Sequence, residues 1–188
     1  MWWLKSSQWR LARLVPALAV AGMTAGCFEP LYGTRPSANG EGVQDKFAAV
    51  AVDTTVSATL KGTPTERIAI ALRNALEFDL HNGSNAFAPT YALRVIVTSS
   101  AFTAVLDPAT GRPNTQIDNV AANYQLVELA TGKVVVKDNC FSHVDYDIPG
   151  SEQRFAKQRA QRDAEDHAVQ VVAETIRNRL ASYFIAGT

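Results

Sequence analysis

The sequence predicts an α+β domain, a two-layer sandwich in which two helices pack on one face of a mixed sheet in the order βαβββα. Three observations predict it. Two segments carry apolar residues at three- and four-residue spacing, four segments have the alternation or β-branched content of strands, and clusters of Gly, Pro, Asn and Asp separate them. Each helix has one apolar stripe, so the sheet face away from the helices is left to solvent or to a partner.

Residues 47–56, FAAVAVDTTV, are short and β-branched and read as the first strand. In KGTPTER, Thr63 can cap a helix, Pro64 suits its first position and Glu66 completes a capping box. The stripe of that helix is Ile68, Leu72, Ala75, Leu76 and Leu80, and Asn82-Gly83 ends it. From Tyr91, alternation places Leu93, Val95 and Val97 on one face of a strand that continues toward Leu106, where DPATGRPN at 107–114 breaks it. A further strand runs from about Gln116 to Leu129 with Tyr124 and Leu126 on one face, and ATGK at 130–133 turns it into a hairpin with Val134 to about Tyr146. After IPGS, Ser151 can cap a last helix that runs toward Phe184 without internal Pro or Gly, its stripe formed by Ala168, Val171, Val172, Ile176, Leu180 and Tyr183.

The N-terminal end has a different logic. Residues 1–26 hold Lys5, Arg10 and Arg13 and no acid, then an apolar run from Leu14 to about Met23, then the small residues Thr24, Ala25 and Gly26. This is the layout of a secretory signal peptide, and the run falls well short of the roughly 20 residues a transmembrane helix needs. The small residues abut Cys27, which predicts cleavage before Cys27 and acylation of its thiol and new α-amine. At about 0.8 kcal/mol per buried CH₂, three acyl chains would hold the chain permanently on a membrane. The organisation expected is a lipoprotein signal peptide over 1–26, a lipidated tether over 27–46, rich in Gly, Ser, Asn and Pro after Tyr32, and a domain over 47–188.

Processing removes three bases and no acid, so 18 bases and 18 acids become 15 and 18 and the mature net charge is −3. That balance argues against a nucleic-acid partner. With Cys27 acylated, Cys140 has no partner for an internal disulfide and reads as a small buried apolar residue. No P-loop, G-x-G-x-x-G, G-x-S-x-G or cysteine-pair motif is present, so no catalytic residues, metal or cofactor are expected. His143, Asp145 and Asp147 share one side of a strand but lack a further ligand, and a solvated strand is the preferred reading of them. His81 and His167 read as surface residues. Arg154, Lys157, Arg159 and Arg162 crowd the last helix, but Arg159 with Asp163 and Arg162 with Asp166 have i,i+4 spacing and read as a self-paired solvated face. Arg112, at the tip of the 107–114 turn, is the candidate for contact with a ligand or partner.

The lipobox-like end leading into CFEPLYG, the βαβββα order and the long last helix together resemble the LPS-assembly lipoprotein family (LptE), in its alphaproteobacterial form. There the processed cysteine is followed by a Gly-Phe-x-Pro-Leu-Tyr-Gly-like stretch, matched here by Cys27, Phe28, Pro30, Leu31, Tyr32 and Gly33, without the Gly after the cysteine. The resemblance implies a subunit of the LPS translocon on the periplasmic face of the outer membrane. It would be held by its N-terminal acyl chains, plug and support assembly of an LptD-like LPS-assembly β-barrel, and contact lipopolysaccharide. Two alternatives stay open: an auxiliary lipoprotein of another envelope lipid-transport system, and a periplasmic hydrolase using His143 with Asp145 or Asp147.

Overall fold

In a computed structural model, residues 42–55, 62–81, 88–106, 108–109, 111, 113–148 and 154–186 are described. The elements run α1 (Val43–Ala48), β1 (Val50–Thr55), α2 (Pro64–His81), β2 (Tyr91–Leu106), β3 (Pro113–Glu128), β4 (Val134–Asp147) and α3 (Arg154–Ala186). The four strands form one sheet in the order β1-β2-β3-β4. β1 runs parallel to β2 because α2 carries the chain back between them, and β2-β3 and β3-β4 are antiparallel. This is the mixed-sheet, two-layer α+β architecture that the hydrophobic patterns predict.

Alternation on each strand decides which face the helices cover. Val50 and Val52 of β1, Leu93, Val95 and Val97 of β2, Val120, Ala122, Tyr124 and Leu126 of β3, and Val136 of β4 are buried. Opposite them lie Ile68, Leu72, Leu76 and Leu80 from α2 and Ala168, Val172, Ile176 and Leu180 from α3, all in one cluster. At α2, Glu66 reaches back to accept a hydrogen bond from the Gly62 amide, one residue upstream of the expected cap, while the Glu66 amide donates to the Thr63 carbonyl at 3.1 Å. The β3-β4 connection tightens through Gly132, whose φ of 69° favours glycine; its amide donates to the Glu128 carbonyl at 2.8 Å, and Thr131 Oγ1 bonds the Glu128 carboxylate at 2.6 Å.

The entry to the domain differs from the sequence reading. Val43–Ala48 is helix rather than tether and strand start, and Val43, Phe47 and Ala48 are buried. Phe47 meets the Phe184 ring edge-on at 5.7 Å between centroids, and Gln44 Nε2 donates to the Leu80 carbonyl at 3.4 Å. Six residues fall below the length at which a helix is stable alone, so tertiary packing, invisible in local pattern, makes this one.

Candidate functional site

Positions of the opposite parity on β2, β3 and β4 form a sheet face that no described helix covers. The register arranges them in cross-strand rows: Arg94-Gln125-Lys137, then Ile96-Asn123-Asn139, then Thr98-Ala121-Phe141, then Ser100-Asn119-His143, then Phe102-Ile117-Asp145. Large apolar side chains stand in solvent here, with Ile96 54% exposed, Phe102 49% and Phe141 63%. Arg94, Ile96, Asn123, Gln125, Lys137 and Asp138 are among the residues that line a cavity of about 390 Å³ at this face. Arg94 and Lys137 are both exposed, and neither is among the described ion pairs, which are Arg67-Glu165, Arg73-Glu77 and Arg179-Asp138.

β2 also outruns the core. Its burial alternates from Leu93 to Val97 and then stops, and all residues from Ser100 to Leu106 are exposed. Val105 is 49% and Leu106 57% exposed. The ladder to β3 nevertheless continues to the end of β2, with register shifts around Val105 that bend the hairpin. A 16-residue strand spans about 54 Å, and the part of β2 past the core carries exposed Phe102, Val105 and Leu106.

The expected site residues divide by location. Cys27 and Arg112 lie outside the described residues; the strands that bracket Arg112 end at Leu106 and begin again at Pro113. His143, Asp145 and Asp147 share the open side of β4 as expected, where the His143 ring packs on Phe141 at 5.1 Å and Thr115 Oγ1 donates to Asp147 at 3.1 Å. Among the described residues no group of three or more His, Cys, Asp or Glu side chains could hold a metal ion. His81 is half-buried rather than a plain surface residue: its Nε2 lies 3.0 Å from the Val50 carbonyl, because the end of α2 packs on the start of β1. His167 is exposed. Neither Arg159-Asp163 nor Arg162-Asp166 closes into an ion pair; an exposed helix pair gains only about 0.3–0.5 kcal/mol, too little to hold two long side chains together. Cys140 is buried, and burial foremost, with Asp138 nearby, pushes its thiol up to about 11, which keeps it protonated and unreactive at neutral pH.

A second constellation sits on the covered side. Asp118 shares parity with Val120 and Ala122, so the ladder turns a carboxylate inward, where it is 5% exposed. Among the described residues its Oδ1 has no hydrogen-bond partner, and neither has the buried Tyr146 hydroxyl. Glu165 of α3, 4% exposed, is held by Arg67 of α2 and by Gln161 Nε2, which donates to Oε1 at 3.1 Å. Thr65 and Ser99 share a hydrogen bond of 2.7 Å in the wall of the same cavity of about 230 Å³. Desolvation, with the Glu165 charge second, pushes the Asp118 carboxyl up to about 6. Both acids had a signal in the sequence, since Asp118 falls in phase with the strand stripe and Glu165 precedes Ala168 and Val169 by three and four residues. The cross-strand rows had none, because register is set by the whole sheet.

No protein-family model matches the chain, and no curated protein matches it in sequence. Solved structures do match. A candidate lipoprotein from Caulobacter crescentus CB15 superposes with a TM-score of 0.55 at 21% identity, over 78% of this chain and 97% of that one. An uncharacterized lipoprotein B from Nitrosomonas europaea superposes with a TM-score of 0.52 at 13% identity, over 72% of this chain and 84% of that one. At these identities the likeness is one of fold: the chain has the fold of structures described as lipoproteins.

Proposed function

We propose that the protein is a lipid-anchored outer-membrane subunit of the LPS translocon, which docks in and supports assembly of the LPS-assembly β-barrel and contacts lipopolysaccharide without catalysing a reaction. The observation that carries this reading is a sheet face that no described helix covers, continuous with a hairpin that extends beyond the core: such a surface suits being covered by a partner. The lipobox-like end at Cys27 and the following FEPLYG support the address and the family, and the fold shared with structures described as lipoproteins agrees with both. The energy of such a role lies in a broad packed interface, so loss of the chain matters more than loss of any polar side chain at its rim.

Three experiments test it. Cys27→Ala should abolish acyl labelling and move the protein out of the membrane fraction; unchanged labelling would end the lipoprotein reading. Depletion of the protein should lower both the correctly assembled barrel and surface LPS. Unaltered barrel and LPS on depletion would leave an auxiliary lipoprotein of another envelope lipid-transport system in its place. His143→Ala, Asp145→Ala and Asp147→Ala should complement fully, whereas a hydrolase would lose activity.

A further inference from the structure

We propose that the cavity between α2, α3 and the β2-β3 hairpin is a binding site for a small primary alkylammonium ion, with Asp118 as its counter-ion. The inference goes beyond the reading above and does not depend on it, because neither Cys27 nor the open sheet face takes part.

Charge decides the class of ligand. Asp118 of β3 and Glu165 of α3, 5% and 4% exposed, are two carboxylates in the wall of one cavity of about 230 Å³. Arg67 of α2 binds the Glu165 carboxylate and answers one of the two charges. Asp118 is left with no ion-pair partner among the described residues, and its Oδ1 accepts no hydrogen bond from them. A buried carboxylate in that state is costly unless a cation or a proton joins it. The burial and the Glu165 charge that push this carboxyl up are what a cation beside it would offset.

A second unanswered group stands beside the first. Tyr146 lies on β4 two residues past Val144, the cross-strand partner of Asp118, so it shares the covered face. It is 8% exposed, and its hydroxyl has no partner among the described residues. Thr65 of α2 and Ser99 of β2 bond each other at 2.7 Å in the cavity wall, which uses one hydroxyl hydrogen and leaves lone pairs on both oxygens. A primary ammonium supplies the one missing charge and three N–H donors for the carboxylate and hydroxyl oxygens. A divalent metal would overshoot the charge, and among the described residues no group of three or more His, Cys, Asp or Glu side chains could hold it. A bare alkali ion would leave most of the cavity unfilled, whereas its volume lies just under the roughly 300 Å³ at which sites for drug-sized ligands begin. Pro64, Ser100 and Ala101 in its wall are exposed, so a ligand can enter there with its short carbon chain outward.

The test titrates the full acylated chain in non-ionic micelles with ethylammonium chloride, near neutral pH and at constant ionic strength, reading backbone amide shifts. Saturable shifts should centre on Ser99, Asp118 and Gln161. Asp118→Asn removes the counter-ion and should weaken binding at least tenfold, while Ser99→Ala, which keeps the charge and removes one acceptor, should weaken it about threefold. Asp145→Asn on the open face should bind as the wild type does; melting curves check that the variants fold. Tetramethylammonium, which has the charge without N–H donors, and sodium should both bind at least tenfold more weakly than ethylammonium. Wild-type affinity in Asp118→Asn, shifts centred elsewhere on the domain, or tetramethylammonium or sodium as effective as ethylammonium would overturn the proposal. A tighter response to magnesium would assign the cavity to a metal ion, overturning the ammonium.

Discussion

The two faces of one sheet follow opposite rules, and the contrast separates what holds this protein together from what it uses. On β3, Val120, Ala122, Tyr124 and Leu126 point at the helices and are at most 2% exposed. On the reverse side of the sheet, Ile96 and Phe102 of β2 and Phe141 of β4 stand about half exposed or more. A fold under selection for stability alone would place polar side chains there. Apolar groups retained in water indicate a surface that works by being covered.

The largest expected effect belongs to the covered face. Leu126→Ala removes a fully buried core side chain and should cost about 2–5 kcal/mol, read as a lower denaturation midpoint. A change on the open face such as Phe141→Ser should stay within about 0.5 kcal/mol. Equal losses at the two positions would break the comparison.

Asp118→Asn should act next most strongly, and in the opposite direction. Folding raises this carboxyl from 3.8 to about 6, so the folded state holds the proton more tightly than the unfolded chain. The Asp118 contribution therefore destabilises fully above pH 6, eases as pH falls through 6, and vanishes below the unfolded value near 4. Replacing it with the neutral amide should stabilise the protein at pH 7.5 by up to about 3 kcal/mol and flatten the pH dependence between 4 and 6, measured by denaturation at several pH values. A destabilised variant with unchanged pH dependence would show that the carboxylate has a partner on that face.

Smaller effects follow. Cys140→Ser should cost about 1 kcal/mol, because a hydroxyl replaces a thiol in apolar surroundings, and should leave non-reducing gels unchanged. A disulfide-linked species lost in this variant would show pairing between chains. Arg112→Glu should leave the melting temperature nearly unaltered while weakening association with the barrel or LPS. Retained association would move the contact from the turn tip to the sheet face.

The contrast also explains what could be read in advance. The stripe from Ile68 to Leu80 and the alternation from Leu93 to Val97 point at one core, so local pattern and global fold agree and the covered face was legible. α1 was not, since Val43 and Phe47 follow a run of Gly, Ser and Asn and gain their order only from Phe184 and α2. The last helix departs from its i,i+4 pattern for a related reason: that spacing permits a contact but supplies too little energy to fix it. The open face was foreseen as uncovered, yet its rows depend on the pairing of Arg94 with Gln125 and of Gln125 with Lys137, which no single segment encodes.

The most direct test of the account is a membrane pull-down with the tagged full chain, analysed by mass spectrometry, comparing wild type with Ile96→Asp/Phe141→Asp. The account predicts that the wild type recovers the LPS-assembly β-barrel and that the double variant, folded and acylated, recovers far less. Recovery of a different envelope complex, or equal recovery of the barrel by both forms, would contradict it.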